Sequence, residues 1–298
     1  MDNKQTTTLI KTLAMKIVLR LFILAIAMTS CKSDLEKNHK DYTLIEEGGI
    51  FVEVFDSTNV KLTRYTDNNT IYRKELEFIY SYEHITKDNS RYYFKEDPSI
   101  DNWKHSWKFV AADSIDKNTI LEVKIKINPG LEPMTQFEPH YNQTVAQYDY
   151  LTKDKSSAFN SMSGIIENEK NVWMHPPRDK YFRILELNPF PYIQTPFEVG
   201  NTWTWNLDIG DFWADKRWLT WKGGIENKYI YKITDKKKIN TAFGKLECYT
   251  IDATATSGLG ETKLTSLFNT EYGFIKLLYT NIDGSKTILQ LEKVIKSE

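Results

Sequence analysis

The sequence predicts an all-β, mainly β protein: a long, curled antiparallel meander, forming a half-barrel or a sandwich, with few short helices. The first observation is alternation of apolar and polar residues with a period of two, which is typical of half-buried strands. The second is the aromatic content, with 17 Tyr, 15 Phe and 8 Trp, since these residues favour strands. Short turns between such segments favour antiparallel pairing, and a sheet of this length must curl, split or close.

Residues 1–30 have the composition of an export signal that is removed. Lys16 and Arg20 supply a basic start, an unbroken apolar run covers 21–28, and two small residues precede Cys31. The apolar run is far shorter than the roughly 20 residues that a membrane-spanning helix needs. Met15 alone would begin a complete short signal, so we expect it to be the true start.

The segment from Met15 to Cys31 resembles the lipobox of bacterial lipoproteins, with Met28 at the position where that family usually has Leu. The resemblance implies that Cys31 receives a diacylglyceryl thioether, that the preceding peptide is cleaved, and that the new amino end is acylated, for example with palmitate. Two or three acyl chains make a stable anchor. The polar residues 31–43 would then form a tether between the membrane and the folded part.

The residues after the cysteine bear on the choice of membrane. Lys32 stands where an Asp would retain a lipoprotein in the inner membrane of some bacteria, and Asp34 and Glu36 follow. This pattern loosely resembles the acidic export tag of lipoproteins from Bacteroidota. We therefore expect a lipid-anchored protein of the outer membrane, on its periplasmic face or at the cell surface.

Charge and cysteine content narrow the class of protein further. The chain carries 39 Lys and Arg and 40 Asp and Glu, so the basic excess of a nucleic-acid-binding protein is missing. The chain has two cysteines, Cys31 and Cys248. If Cys31 is lipidated, no disulfide can form, and Cys248 lies in a strand pattern where we expect it to be buried and inert.

In the N-terminal half, taken as residues 44–175, the clearest strand is 120–128. Every second residue from Leu121 to Ile127 would point to one face, and Pro129-Gly130 would end the strand. Every second residue from Trp103 to Phe109 would likewise share one face of a strand. Further strands are expected at 50–55, 60–65 and 76–82.

The C-terminal half, taken as residues 176–298, repeats the pattern, most clearly in 202–209, where Trp203 and Trp205 share a face. Further strands are expected at 228–234, 245–256, 261–269, 273–281 and 286–295. Only 211–221 and parts of 132–160 are compatible with short helices. The Pro-rich segment 176–196 is the best candidate boundary between the halves, which we expect to form one continuous or closely packed unit.

Three motifs of the C-terminal half carry a resemblance: Pro196–Trp203, Phe243–Tyr249 and Glu271–Lys276. Together they resemble uncharacterised β-rich envelope domains of bacterial lipoproteins, whose fold is thought to be similar to the half-barrel of lipoprotein carriers. The resemblance covers about 100 residues and rests on turn glycines and strand aromatics. It implies a curled antiparallel sheet and brings no catalytic residues with it.

Motifs for catalysis or metal binding are not found in the sequence. The five His residues lack the spacing of a helical metal pair, and no nucleophile elbow, phosphate loop or Cys-x-x-Cys is present. We therefore expect no enzyme activity, no cofactor and no metal. His175-Pro176-Pro177-Arg178-Asp179 is an unusual run that a rigid surface turn explains, although His175 and Arg178 are candidate ligand-binding residues because loops often carry function.

The most suggestive feature is aromatic. Trp213, Trp218 and Trp221 lie among charged residues, in a segment suited to a loop or helix over a sheet edge. They could pack down as a lid on the core, which is usual for large aromatic residues, or form a platform on which a sugar ring stacks.

These observations leave three hypotheses. The leading one is a non-enzymatic envelope lipoprotein that binds an apolar ligand or an envelope partner on its curled sheet. The alternative is a surface glycan-binding lipoprotein that uses the aromatic segment 212–221, and the third is a hydrolase built on scattered carboxylates. The concave face discriminates between them: an apolar trough favours lipid, exposed Trp beside carboxylates favours glycan, and a His or paired acids in a pocket favour an enzyme.

Overall fold

The computed structural model describes residues 42–55 and 64–296, and these residues form one compact, mostly β unit. The strands are β1 (Tyr42–Glu47), β2 (Ile50–Phe55), β3 (Leu76–Ile85), β4 (Arg91–Glu96), β5 (Trp107–Ala111), β6 (Ile120–Ile127), β7 (Thr144–Thr152), β8 (Ser157–Glu167), β9 (Asn171–Met174), β10 (Tyr192–Gln194), β11 (Thr202–Ile209), β12 (Ile225–Thr241), β13 (Gly244–Ser257), β14 (Gly260–Asn269), β15 (Gly273–Thr280) and β16 (Lys286–Lys296). The helical elements are α1 (Arg64–Asp67) and three 3₁₀ helices (Met134–Gln136, Lys180–Leu187 and Asp211–Trp213).

Fourteen of these strands form one antiparallel sheet. From one edge, the order is β10, β9, β8, β7, β6, β3, β16, β15, β14, β13, β12 and β11, while β4 joins β3 and β6 at one end and carries β5. The last strand, β16, pairs with β3 in the middle of this order. Strands from both halves of the sequence therefore belong to the same sheet, and the curled antiparallel meander predicted from the sequence is confirmed.

The sheet curls until its two outermost strands, β10 and β11, face each other. The rings of Tyr192 and Trp203 lie 5.7 Å apart across this seam, and Asn201 donates a hydrogen bond to the Gln194 carbonyl at 3.1 Å. The β1–β2 hairpin lies against the seam, because the Gly49 carbonyl accepts hydrogen bonds from the side chains of Tyr192 and Gln194. Gly49 has a φ of +100°, and a Cβ there would lie 2.6 Å from the Thr204 carbonyl oxygen, so this approach requires glycine.

The inside of the curled sheet is filled by the chain itself. Residues 180–191, which we call the plug, are all buried and include the 3₁₀ helix Lys180–Leu187. Tyr181 of the plug hydrogen-bonds to His84 at 2.8 Å and to Thr287 at 2.6 Å, and Phe182 and Leu185 are fully buried. The plug lies in the Pro-rich segment expected to be a boundary, so that segment is part of the core and not an exposed linker.

Several predicted elements are confirmed with small shifts. The segment 120–128 is β6, with Val123, Ile125 and Ile127 buried as expected, although a bulge makes Ile120 the fourth buried residue in place of Leu121. Cys248 is fully buried in β13, and burial raises the pKa of its thiol to about 11, so the inert role is consistent with its surroundings.

Both ranges that were compatible with short helices contain one: Met134–Gln136 lies in 132–160, ahead of β7 and β8, and Asp211–Trp213 lies in 211–221. Other expectations were wrong. The predicted strand 103–109 begins at Trp107, and the residues before it form a turn. Of the predicted strand 60–65, residues 64 and 65 belong to α1 and the rest lies outside the described residues. Tyr42 and Thr43 of the predicted tether belong to β1, and the remainder of the tether, with Cys31 and the signal, also lies outside the described residues.

Candidate functional site

An open cleft of about 1000 Å³ lies between two loops at one end of the sheet. The first loop, residues 97–106, connects β4 to β5, and the second loop, residues 210–224, connects β11 to β12. Aromatic, amide, acidic and basic side chains line the cleft together. Such a lining combines apolar contact area with directional hydrogen-bonding groups, which is what a ligand site requires.

The two loops are held together beneath the cleft by a buried carboxylate. Asp215 of the second loop is 2% exposed, and its oxygens accept hydrogen bonds from Arg217 Nε at 2.9 Å and Arg217 Nη2 at 2.6 Å. His105 Nδ1 of the first loop lies 2.7 Å from the same carboxylate, and Arg217 Nη1 donates to the Trp107 carbonyl at 2.9 Å. Burial raises the pKa of Asp215, but the hydrogen bonds from Arg217 and His105 lower it overall, so the carboxylate is the charged form that binds the loops.

The first loop presents an exposed indole. Trp103 is 57% exposed, while its carbonyl accepts a hydrogen bond from the ammonium group of the buried Lys180 at 2.8 Å. The same ammonium group donates to Ser106 Oγ at 2.8 Å, and the Ser106 N–H donates to the Asn102 carbonyl, also at 2.8 Å. The plug residue Lys180 therefore fixes the backbone of the loop from below and leaves the Trp103 ring in solvent.

The second loop presents a facing ring. Phe212 is 45% exposed, and its ring centroid lies 6.3 Å from that of Trp103. The Lys104 ammonium lies 3.3 Å from the Phe212 ring centroid, a cation–π contact between the loops. Trp221 is half-buried in the lining, and its indole Nε1 is buried without a hydrogen-bond partner among the described residues.

The three tryptophans predicted from the sequence are divided between the cleft and its support. Trp221 lines the cleft. Trp218 lies beneath, stacked on the buried Trp107 with ring centroids 6.3 Å apart, and its indole donates to the Trp213 carbonyl at 3.3 Å. The Trp213 ring packs against the guanidinium of Arg178 at 4.7 Å.

The structure places His175 and Arg178 away from the cleft lining. His175 lies between the rings of Trp173 and Phe190, at 4.7 and 4.9 Å, and burial lowers its pKa well below the ordinary value. Arg178 forms an ion pair with the buried Glu186 of the plug at 3.1 Å. Both residues contact the plug, His175 at Phe190 and Arg178 at Glu186. Whether either residue binds a ligand stays a prediction.

Trp103, His105 and Asp215 are site residues that the sequence reading did not identify. Trp103 and His105 were assigned to a strand because their alternation with Trp107 matched a period of two. The turn-forming residues immediately before them, Asp97-Pro98-Ser99 and Asp101-Asn102, were the signal that could have placed them in a loop.

A further buried polar group lies behind the cleft. Arg183 of the plug is 1% exposed, and its Nη2 donates to the Phe212 carbonyl. Its Nε and Nη1 have no hydrogen-bond partner among the described residues. Glu186, one turn along the plug, is 2% exposed; burial raises its pKa to about 7 although Arg178 and Arg183 oppose this.

The described residues hold neither a candidate metal site nor a helix that could span a membrane. No group of three or more His, Cys, Asp or Glu side chains in residues 42–55 and 64–296 could hold a metal ion. None of the helices in these ranges has the length and hydrophobicity needed to cross a membrane.

No protein-family model and no curated protein matches the chain. Among solved structures, it is similar to a protein described as exported, with a YmcC-like fold, from Bacteroides fragilis: 10% identity, TM-score 0.41, covering 76% of this chain and 98% of that one. A protein from Parabacteroides distasonis described as a lipoprotein gives 8% identity, TM-score 0.40, and 76% and 97% coverage. The hypothetical lipoprotein YmcC from Escherichia coli gives 10% identity, TM-score 0.28, and 59% and 86% coverage.

Proposed function

We propose that this protein is a lipid-anchored protein of the bacterial envelope that binds a carbohydrate, without catalysis, in the cleft between the first and second loops. The observation that carries the proposal is the pair of exposed rings, Trp103 and Phe212, on opposite loops. Large aromatic side chains are usually buried, and an exposed pair beside polar groups is typical of a binding site.

The lining matches the two chemical faces of a sugar. The C–H face of a pyranose ring is apolar and can stack on Trp103 or Trp221, while its hydroxyl groups both donate and accept hydrogen bonds. Asp101 and Asp211 line the cleft as acceptors, and the Asn102 amide supplies both donors and an acceptor. Apolar walls with a few polar groups would orient such a ligand.

The leading hypothesis from the sequence, an apolar ligand on the concave face, has less support. The concave face is covered by the plug, whose Phe182 and Leu185 are fully buried against the sheet. An apolar ligand there would have to displace about twelve buried residues. An envelope partner on the outer face of the sheet stays an alternative.

Within the described residues, the pair His105 and Asp215 favours a hydrolase, since a histidine oriented by a buried carboxylate is the usual general base. Here both Asp215 oxygens also accept hydrogen bonds from Arg217, whose Nη2 lies 3.3 Å from His105 Nδ1. The guanidinium therefore neutralises the charge that would stabilise an imidazolium. We assign the three residues to holding the loops together.

The anchor is part of the proposal and is supported by the sequence around Cys31. The signal-like segment, the Met28 to Cys31 motif and the polar residues that follow resemble the start of a bacterial lipoprotein. The outer membrane, rather than the inner one, is favoured by Lys32 and by the acidic residues after it.

The test is a screen of the full-length protein, purified in detergent, on an array of bacterial and plant glycans. We expect binding to at least one glycan class, and we expect Trp103→Ala to weaken it at least tenfold while the melting temperature changes by less than about 2 °C. The matched control is Phe137→Ala, because Phe137 is also an exposed aromatic residue, at 81%, and lies outside the cleft lining.

Two results would contradict the proposal. One is that no glycan binds; the other is that Trp103→Ala and Phe137→Ala bind as tightly as the wild-type protein. Release of reducing sugar from the bound glycan would instead favour the hydrolase and would require Asp215 to be reassigned.

A further inference from the structure

We propose that the carbohydrate bound in this cleft is acidic, and that its carboxylate is recognised by Lys104 next to the Phe212 ring. This inference rests on the proposed function and adds the chemical class of the ligand. It would apply to sugars of the uronic-acid kind, whose ring carries a carboxylate in place of a hydroxymethyl group.

The position of the Lys104 ammonium is the first argument. It lies 3.3 Å from the Phe212 ring centroid and 5.9 Å from that of Trp103, between the two exposed rings of the cleft. It forms no ion pair within 4 Å with any carboxylate of residues 42–55 or 64–296. A sugar stacked on either ring would bring a ring substituent within reach of this ammonium.

A second cation, Arg183, lies behind the Phe212 ring. The guanidinium carbon lies 5.2 Å from the Phe212 ring centroid, and the group is buried with two of its N–H-bearing nitrogens unpartnered among the described residues. It too forms no ion pair within the described part of the chain. Burial lowers the pKa of Arg183, although Asp215, Asp179 and Glu186 oppose this from beyond ion-pair distance. A ligand anion near the ring would add to this partial compensation.

Two neighbouring cations, in contrast, have ion-pair partners. Arg217 is paired with Asp215 at 2.6 Å, and Arg178 is paired with Glu186 at 3.1 Å. Among these four cations, only the two beside Phe212, Lys104 and Arg183, have no carboxylate within 4 Å in the described part of the chain. Partial burial and the charge of Arg183 lower the pKa of Lys104, although Asp211 opposes this, so a ligand anion would relieve an existing electrostatic cost.

The carboxylates that line the cleft form no ion pair with the Lys104 ammonium. Asp211 accepts a hydrogen bond from the Gly223 N–H at 3.1 Å and lies more than 4 Å from the Lys104 ammonium, since no ion pair forms between them. Asp101 is exposed. Both carboxylates suit the hydroxyl groups of a sugar, whereas Lys104 suits its carboxylate, so the lining would fix the orientation of the ring.

The experiment compares each glycan that the full-length protein binds with its carboxyl-reduced counterpart, which keeps the stereochemistry and loses the charge. We expect the acidic form to bind at least tenfold more tightly, because a charge-assisted hydrogen bond contributes about this much. Lys104→Gln should bring the two affinities within threefold of each other, and 0.5 M salt should weaken binding of the acidic form alone. The matched control is Lys117→Gln, because Lys117 is an exposed lysine outside the cleft lining; it should keep the preference for the acidic form.

The outcomes separate this inference from the proposed function. Equal affinity for the acidic and reduced forms, or a preference that survives Lys104→Gln, would overturn the acidic ligand and leave carbohydrate binding intact. Failure to bind any glycan of either kind would overturn both. Because Lys104 is half-buried, the melting temperature of each variant should be measured to establish that it is folded.

Discussion

At the scale of single residues, the buried acid of the plug, Glu186, makes the free energy of unfolding depend on pH. The Glu186 carboxylate faces the guanidinium of Arg178 at 3.1 Å, with Arg183 and the phenols of Tyr229 and Tyr279 as its other charged or titratable neighbours. Burial raises the pKa of both tyrosines far above neutrality, so they stay protonated. Glu186 is therefore the group of this cluster that changes charge near neutral pH.

The first prediction follows from the direction of that shift. The pKa of Glu186 rises from an ordinary value of 4.5 to about 7 in the folded protein. A raised carboxyl pKa means that the folded state holds the proton more tightly than the unfolded state. The protonation of Glu186 therefore stabilises the folded state by about 3 kcal/mol. This stabilisation is complete below pH 4.5 and is lost as the pH rises to about 7.

Urea unfolding at pH 5 and pH 8 measures this contribution. From pH 5 to pH 8 the free energy of unfolding of the wild-type protein should fall relative to that of Glu186→Gln, because the amide carries no charge to bury. The control is Glu198→Gln, an exposed acid outside the plug, which should follow the wild-type protein. A Glu186→Gln curve parallel to the wild-type curve would show that Arg178 fully compensates the buried charge.

At the scale of elements, the second loop divides into a supporting part and a ligand-facing part. Trp218→Ala should lower the free energy of unfolding by about 2–4 kcal/mol, because it removes the ring stacked on the buried Trp107 and the hydrogen bond to Trp213. The melting temperature should fall by about 2–4 °C for each kcal/mol. Thermal unfolding followed by circular dichroism measures this effect.

Trp103→Ala is the comparison for that variant. It should change stability by no more than about 0.5 kcal/mol, since the ring is mostly exposed. If Trp218→Ala were as stable as Trp103→Ala, the division of the second loop into a supporting and a ligand-facing part would be wrong. Trp218 would then be assigned to the ligand-facing residues.

The strands were largely predictable from the sequence, and the site largely was not. The segments that became β3, β6 and β11 to β16 alternate cleanly because one face meets the core and the other meets water. The segments that became β7, β9 and β10, and the last five residues of β8, do not alternate in this way, since their buried residues are nearly continuous. Periodicity therefore gave no signal for them.

The cleft could not be found from spacing because its parts are more than 100 residues apart. His105 and Asp215 meet only once the sheet has curled, and the sequence shows no local sign of their contact. The aromatic segment 212–221 is unusual in the sequence. In the structure Trp218 packs on the core, whereas Phe212 and Trp221 line the cleft, and whether these rings bind a sugar stays a prediction.

At the scale of the whole molecule, the plug and the seam make both sequence halves parts of one unit. The Pro-rich segment crosses the interior, and the β1–β2 hairpin lies against the seam between the outermost strands. The tether predicted for residues 31–43 leads into this hairpin.

The anchor itself is tested by Cys31→Ala. The thioether cannot form without the sulfur, so the variant should leave the detergent phase and appear as a soluble or unprocessed precursor. Detergent-phase partitioning of both proteins from their host envelope measures this. If both proteins partition into the aqueous phase, the lipoprotein assignment is wrong. Removal of residues 1–14 should leave export unchanged, because the predicted signal is complete from Met15 onwards.

The central claim is that ligand binds between the two loops and not inside the sheet. Nuclear magnetic resonance of the indole N–H groups tests it most directly, by titrating the protein with the tightest-binding glycan of the array. The account predicts that the signals of Trp103 and Trp221 shift, while those of Trp173 and Trp203, which are buried at the seam, stay in place. Shifts confined to Trp173 and Trp203, with Trp103 unchanged, would contradict it.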